Sequence, residues 1–340
     1  MKRNRIVLFA GKQTTRHHIH CFRILTERFG WSITLITVYP DVADSARDIL
    51  SVDKVYLVKS FVLPFLQENP ALMDIIMSSH PDMCIVLGSG DNRFQSFLAQ
   101  TQLPIIWIRE VGYDPEEKLY SLRVKKEIRP GIIPQVSQKQ SIVYVPAPMV
   151  DYQDFLDLNT DLVLEWKNDC GLISHDTTQN TIHKKMVVAV LGTSEQEYAI
   201  QSLLENQDIL MYSIAHPDSS DIAFPELHED NAPILYELCD ALIVVEDTHH
   251  LVQLSLMRAM ASGTVIITPR TELYTSALGR GSLYYEEYSL PEIQACLEIL
   301  HRSEHKRQEV RSAASLMFEK RYSYSAISRL WHTVLEYSTH

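Results

Sequence analysis

The sequence predicts an α/β protein with two units of parallel, doubly wound sheet. Short apolar runs such as RIVLFAG (5–11), SITLITV (32–38) and MCIVLGSG (83–90) alternate with helical patterns. A second series of the same kind begins at KKMVVAVLGT (184–193) and continues through ALIVVED (241–247). Alternation of buried strands with helices is typical of parallel sheets covered on both faces. The chain of 340 residues is long enough for two cores.

The remaining patterns fill the gaps between these strands in order. In the first half they predict a helix at 16–30 that Gly30 stops, strands at 54–58 and 104–110, helices near 62–79 and 91–101, and a strand within 141–155. In the second half they predict helices at 195–206, 232–240 and about 249–262, strands at 209–215, 264–269 and 282–285, a helix at 290–302 and two long helices at the end.

The break between the two series sets the expected domains. We predict a Rossmann-like N-terminal domain over 1–150, a linker region over 151–183, and a Rossmann-like C-terminal domain over 184–323. A final helix covers 324–340.

Composition excludes several classes of protein. A net charge of -12 without a basic stripe argues against a nucleic-acid partner. No apolar run approaches the roughly 18 residues of a membrane span, and IVLFA is too short for a signal peptide. The five cysteines form no Cys-x-x-Cys pair, which predicts free thiols in a cytoplasmic protein without a zinc site: Cys21, Cys84, Cys170, Cys239 and Cys296.

Residues 232 to 338 carry a resemblance to a known family. The runs LYELCDALIVVED and RAMASGTVIITP, followed by the helices after residue 289 and by Phe318, Tyr322 and Ser323, resemble the C-terminal domain of GT-B glycosyltransferases. The retaining group-1 (family-4-like) enzymes are the most similar. The resemblance implies two domains facing each other across a cleft, with the final helix crossing back to the N-terminal domain. It also implies a nucleotide-sugar donor as substrate, with neither a metal ion nor a cofactor.

The residues at the family's donor site depart from the pattern. The family has two glutamates eight positions apart, and this chain has His250 and Arg258 there. Where the family has Phe-Gly, this chain has residues 251–253, Leu-Val-Gln. The family's Arg and Lys after the first strand of this domain are absent from the turn at 192–194. A carboxylate accepts two sugar hydroxyls, whereas arginine only donates. The donor geometry therefore differs from that of the family, or the chain binds no donor.

The predicted donor-binding residues cluster after two strands of the second series. They are Gly192, Thr193, Ser194, Glu246, Asp247, His250, Arg258 and Gly263. Amides at residues 192–194 could hold a phosphate at a helix N-terminus. The alternative is an ordinary helix cap, with Glu195 and Glu197 favouring the helix dipole.

The predicted acceptor-side residues follow strands of the first series. They are Gly11, Lys12, Gly88, Ser89 and Arg109, with His17 and His18 as candidate catalytic residues. A histidine there could act as a general base or donate to a phosphate. The alternatives are exposed polar residues in a first helical turn and a plain turn after the strand at 83–90. The His-rich run lacks a second ligand cluster, so we predict no metal site.

The sequence leaves two functions open. One is a metal-independent glycosyltransferase acting on a nucleotide-sugar and an unknown acceptor. The other is a catalytically inactive GT-B pseudo-enzyme that serves as a partner or stabilising subunit of an active glycosyltransferase. A GT-B epimerase would need acid and base carboxylates that the sequence does not locate.

Overall fold

The computed structural model divides into two compact units, residues 1–148 with 322–340 and residues 149–321. The described residues are 4–12, 14–50, 55–58, 70–88, 98, 103–109, 124–130, 135–136, 142–146, 148–150, 153–156, 160–169, 173–176, 181–204, 209–215, 220, 232–245, 250–286 and 289–339.

The elements are numbered along the chain. The strands are β1 (Arg5–Ala10), β2 (Ser32–Thr37), β3 (Val55–Leu57), β4 (Met83–Leu87), β5 (Ile105–Ile108), β6 (Val124–Pro130), β7 (Gln135–Val136), β8 (Ile142–Val145), β9 (Ile173–Asp176), β10 (Thr181–Lys184), β11 (Met186–Leu191), β12 (Ile209–Ser213), β13 (Ala241–Val244), β14 (Val265–Pro269) and β15 (Ser282–Tyr285). The helices are α1 (Arg16–Phe29), α2 (Pro40–Ile49), α3 (Pro70–Ser79), α4 (Gln153–Leu156), α5 (Thr160–Asp169), α6 (Ser194–Leu204), α7 (Ala232–Leu238), α8 (His250–Ser262), α9 (Glu272–Leu278), α10 (Leu290–Arg302), α11 (Glu304–Arg321) and α12 (Tyr324–Thr339).

The first unit is built on an eight-stranded sheet with the order β3-β2-β1-β4-β5-β6-β8-β7. Its pairs are parallel except for β7 with β8. Side chains of β1 alternate between two cores, with Leu8 in one and Phe9 in the other. The sheet is therefore buried on both faces, which explains why its strands are nearly continuous apolar runs.

Helix α1 ends where the sequence predicts. Gly30 has the left-handed φ of 69°, and its backbone N–H donates to the carbonyl of Leu25. A residue without Cβ adopts this conformation at little cost, so glycine ends the helix and leads directly into β2.

Helix α12 packs on α1 and belongs to the first unit. Trp331 is buried, and its ring lies 5.1 Å from that of Phe22 and 6.3 Å from that of His18, centroid to centroid. The Ser328 hydroxyl donates to the carbonyl of Cys21 at 3.1 Å. The prediction that the final helix crosses back to the N-terminal part of the chain is confirmed.

The second unit is built on a five-stranded parallel sheet with the order β12-β11-β13-β14-β15. Its core joins Val188 and Ile243 of the strands to Ile200 of α6 and Leu297 of α10. The sequence patterns predict all five strands, and α10 has the predicted bounds.

Several elements have no counterpart among the predictions. The segment predicted as a linker contains α4, α5 and the antiparallel pair β9–β10. These strands have four residues each, and their mixed polar sequences ISHD and TIHK show no clear period. Helix α9 has seven residues and depends on a local cap, because the backbone N–H of Tyr274 donates to the Thr271 hydroxyl at 3.3 Å. Short elements of this kind carry too few residues for a hydrophobic period.

Two predicted helices are only partly described. Helix α3 covers 70–79 of the helix predicted near 62–79, and residues 62–69 lie outside the described residues. The helix predicted near 91–101 also lies outside them, apart from residue 98.

The described cysteines are free and buried: Cys21, Cys84, Cys239 and Cys296. Cys170 lies outside the described residues. Within the part of the chain that is described, no helix combines the length and apolar character needed to cross a membrane.

We expect Trp331→Ala to destabilise the first unit by about 3–5 kcal/mol, because it leaves a cavity between α1 and α12. Native-state hydrogen exchange measures this as faster exchange of the amides in β1 and β4. Tyr337→Ala is the matched control: this side chain is 77% exposed on the same helix, and its loss should cost less than about 0.5 kcal/mol. An equal loss of protection in β13 and β14 would contradict the assignment of α12 to the first unit.

Candidate functional site

The second sheet has a topological switch point between β11 and β13. After β11 the chain continues to β12 on one side, and it then returns to β13 on the other side. In open α/β sheets, ligands bind outside the carboxyl ends of the strands at such a point. Two predicted donor segments lie at this edge: residues 192–194 directly follow β11, and α8 starts with His250 after β13.

Gly192 lies where the segments that follow β11 and β13 approach each other closely. A Cβ atom at this position would lie 3.2 Å from the Cβ of Val245 and 3.1 Å from Oε1 of Gln196. The turn therefore packs tightly against the residue after β13.

Two amides at the start of α6 are bonded to the side chains of Thr193 and Gln196. The backbone N–H of Thr193 donates to Oε1 of Gln196 at 2.9 Å, and the backbone N–H of Gln196 donates to the Thr193 hydroxyl at 3.4 Å. This reciprocal pair is a capping box. It matches the alternative interpretation of the turn as an ordinary helix cap.

Glu197 brings a buried carboxylate to the same turn. Only 2% of the residue is exposed. Its carboxylate accepts from the backbone N–H of Gly192 at 3.3 Å and from the Ser213 hydroxyl at 2.6 Å, so it joins β11 to the end of β12. Helix N-termini favour negative charge, and here the protein supplies that charge itself. A phosphate bound to the Gly192 amide would have to displace this carboxylate.

Arg258 lies partly buried on α8, eight residues beyond His250. That spacing corresponds to about 12 Å along the helix axis. The Arg258 charge acts on Tyr236 of α7: burial raises the pKa of Tyr236, while a hydrogen bond with Ser255 and the Arg258 charge lower it. The guanidinium therefore lies near α7 within the second unit.

Some predicted donor residues cannot be placed together with these. Glu246 and Asp247 lie outside the described residues, as does the side chain of His250. Gly263 ends α8 and precedes β14, so it lies at the amino edge of the sheet, opposite Gly192. The structure does not bring Gly263 to the candidate donor edge.

The first sheet has its own switch point, between β1 and β4. Gly11 follows β1, and its backbone N–H donates to the Leu87 carbonyl at the end of β4 at 3.2 Å. Gly88 has a left-handed φ of 84° that suits glycine. Lys12 is exposed beside them, and Ser89 lies outside the described residues.

Arg109 follows β5 at the same edge and is buried. Its guanidinium carbon lies 4.3 Å from the centroid of the Trp107 ring. Trp107 in turn donates from Nε1 to the Gly88 carbonyl at 2.8 Å. The structure thus brings together Gly11, Gly88 and Arg109, as the sequence order of the strands predicts.

His18 is buried at the start of α1 and bonded to the preceding turn. Its Nδ1 lies 3.3 Å from the backbone nitrogen of Thr15, which donates to it, and 2.8 Å from the Thr15 hydroxyl. Nδ1 is therefore the unprotonated nitrogen. Burial, with a smaller contribution from His17, lowers the pKa of His18 to about 3. The imidazole is thus neutral at physiological pH.

His17 is also buried, and its Nδ1 lies 2.5 Å from the Tyr324 hydroxyl oxygen at the start of α12. Sequence reasoning placed both histidines after β1 correctly. It missed Tyr324 and Trp331 as their neighbours, since no local pattern reports a contact between residues about three hundred positions apart. It also missed the bond of His18 to Thr15, which lies only three positions earlier. It also missed the role of Glu197, for which the Thr193 and Gln196 capping pattern was the available signal.

No family model matches the chain, and no curated protein matches it. Among solved structures, a glycosyltransferase from Rickettsia africae has a TM-score of 0.69 and 13% identity, over 99% of each chain. Anabaena HepE, in complex with UDP and glucose, has a TM-score of 0.60 and 10% identity, over 98% of this chain and 99% of that one.

A UDP-GlcNAc 2-epimerase from Neisseria meningitidis, bound to UDP-GlcNAc, is similar as well. It has a TM-score of 0.56 and 11% identity, over 98% of this chain and 100% of that one. These likenesses show that the chain has the GT-B fold, which confirms the fold that the resemblance implied. Among the residues described, no group of three or more His, Cys, Asp or Glu side chains could share a metal ion.

The pH dependence of stability tests the position of His18. The unfolded chain binds a proton near the ordinary pKa of 6.5 and the folded chain near 3. Stability therefore falls as pH drops below about 6.5, by up to about 1.4 kcal/mol per pH unit. We expect His18→Asn to flatten this slope between about pH 6 and 4 in urea unfolding. The exposed His305→Asn is the matched control. An unchanged slope in His18→Asn would disprove the neutral, buried state.

We expect Glu197→Ala to lower the free energy of unfolding by about 1–3 kcal/mol, because it removes an acceptor from the Gly192 N–H and the Ser213 hydroxyl. Urea unfolding of the second unit measures the change. Glu195→Ala, at an exposed position two residues earlier on the same helix, serves as the control. Equal effects of the two variants would show that the buried carboxylate does not hold the turn.

Proposed function

We propose that the chain is a glycosyltransferase that moves a sugar from a nucleotide-sugar donor to an acceptor without a metal ion. One observation carries the proposal: two predicted donor segments flank the switch point between β11 and β13 in a chain of GT-B fold. The similarity to HepE, solved with UDP and glucose, supports a uridine nucleotide as the first candidate. A cytoplasmic location fits the free cysteines.

In this proposal the donor lies at the carboxyl edge of the second sheet. Residues 192–194 face its diphosphate, and the candidates for binding the sugar or ribose hydroxyls are those that the sequence predicts, Glu246, Asp247 and His250. Arg258 provides positive charge for the diphosphate, which leaves as the glycosidic bond breaks. Fixed donors and cations stabilise such developing negative charge. The resemblance to retaining enzymes implies that the sugar keeps its anomeric configuration.

The acceptor side is formed by the switch point of the first sheet. Gly11, Lys12, Gly88 and Arg109 lie there, and Ser89 follows directly in the sequence. Thr14 adds a buried hydroxyl for which the described residues provide no hydrogen-bond partner. A bound acceptor or phosphate oxygen would satisfy it.

The two histidines receive different roles. His18 uses Nδ1 to bond Thr15, so we assign it to positioning the start of α1 rather than to proton transfer. His17 remains the candidate catalytic residue, with Tyr324 fixing its ring through Nδ1. A base whose ring is oriented by another side chain is typical of general-base catalysis.

A second function is favoured by the interactions of Glu197 and Gln196. Their side chains accept hydrogen bonds from the backbone N–H groups of Gly192 and Thr193. These N–H groups would otherwise face a diphosphate. We propose as the alternative a GT-B pseudo-enzyme in which these side chains fill the donor site and the chain serves as a partner subunit of an active glycosyltransferase.

Titration calorimetry with UDP, GDP, ADP and UDP-glucose separates the two functions. For a transferase we expect one nucleotide to bind saturably, and Arg258→Ala to weaken it by about tenfold or more, the loss expected for hydrogen bonds to a charged group. Arg258→Glu, which restores the residue typical of the family, should change the affinity further. Arg302→Ala removes an exposed positive charge from α10 and is the control. If no form binds any nucleotide, and the Arg258 variants are merely less stable, the transferase proposal fails and the pseudo-enzyme stands.

A further inference from the structure

A cavity of about 310 Å³ lies within the second unit at the amino edge of its sheet. It is open to solvent on one side and is lined by the end of α7, the turn between α8 and β14, and one face of α11. Its volume is at the lower end of the range of about 300–1,000 Å³ typical of small-molecule sites. The edge is opposite the one that carries Gly192, so the cavity is distinct from the proposed donor site.

Part of the cavity wall has already used its hydrogen-bond donors. Three hydroxyls each donate to a carbonyl near the end of α7 or α8: Thr264 to Tyr236 at 2.6 Å, Ser262 to Ala259 at 3.1 Å, and Ser315 to Met260 at 3.5 Å. Carbonyls at a helix C-terminus carry partial negative charge. These hydroxyl groups reduce that negative charge on the side of the carbonyls that faces the cavity.

The rest of the wall formed by α11 carries donors that are not used in this way. Gln308, Arg311 and Ser312 line the cavity from one face of α11, at i, i+3 and i+4. Nε of Arg311 is buried, and no hydrogen-bond acceptor for it is found among the residues described. A guanidinium has five N–H donors and no acceptor, and a buried donor without a partner costs free energy. Arg311 therefore brings to this wall a guanidinium whose terminal N–H groups a ligand can use.

Glu237 is the carboxylate among the lining residues, and it is exposed at the end of α7. Water screens an exposed charge, so its repulsion of an anion near Arg311 is small. The unused donors on α11 therefore attract an anion more strongly than Glu237 repels it.

We propose that this cavity binds the oxyanion group, phosphate or carboxylate, of a small organic molecule, with Arg311 as its anchor. The planar guanidinium can bond two oxygens of either group at once. Ser312 and Gln308 donate to the remaining oxygens. The cavity also has room for the organic part of the ligand.

Titration calorimetry of the full chain at constant ionic strength tests the proposal with inorganic phosphate, glucose 6-phosphate, succinate and uncharged glucose. We expect saturable binding of at least one of the three anions and none of glucose. Arg311→Ala should weaken that binding by about tenfold or more, and Ser312→Ala by a smaller factor. Tighter binding of glucose 6-phosphate than of inorganic phosphate would identify a phosphorylated molecule, and preference for succinate a carboxylate.

Two controls separate this cavity from other sources of anion binding. Lys320→Ala removes an exposed positive charge from the same helix and should leave the affinity unchanged. Arg270→Ala, which removes an exposed positive charge from the opposite edge of the same sheet, should leave it unchanged too. The proposal is overturned if no anion binds the wild type, if Lys320→Ala weakens binding as much as Arg311→Ala, or if Arg270→Ala abolishes it. Unfolding in urea confirms that each variant is folded.

Discussion

The packing of α12 on α1 is the contact on which the first unit depends. His17 and Tyr324, joined by a side-chain hydrogen bond, are 307 positions apart in the chain. Trp331 lies against Phe22, and Ile327 and Leu335 complete the same core. Without this helix, one face of α1 would expose buried apolar side chains to water. The neutral state of His18 has the same origin, because it is desolvation that lowers its pKa.

The two sheets place polar groups at their switch points in opposite ways. In the first sheet, Lys12 is exposed and the Thr14 hydroxyl is buried without a described hydrogen-bond partner, so this edge offers donors to a ligand. In the second sheet, the side chains of Gln196 and Glu197 already accept hydrogen bonds from the backbone N–H groups that such an edge usually offers to a ligand. The same fold can thus leave a polar group without a described partner at one switch point and satisfy such groups internally at the other. A nucleotide bound at the second edge would have to displace Glu197 from the Gly192 amide.

The sequence predicts the fold well where the physical signal is local. The strands of both sheets are apolar runs, and Gly30 ends α1 through its own backbone conformation. The candidate site is less predictable, because its chemistry depends on contacts between distant residues. The position of Gly192 follows from the strand order, but its bond to Glu197 requires Ser213 of a neighbouring strand to hold the carboxylate. Gly263 shows the limit of motif reasoning: it belongs to the same run as Arg258 but lies at the other edge of the sheet.

The division of the chain also affects the order in which its parts are completed during synthesis. The second unit is contiguous, and all of its residues are present once residue 321 has been made. The first unit begins earlier but needs residues 322–340, so its core stays open while the second unit is translated. Domains generally fold as units as they emerge from the ribosome. The second unit is thus the first to be complete, and one apolar face of α1 has no partner helix until α12 has been made.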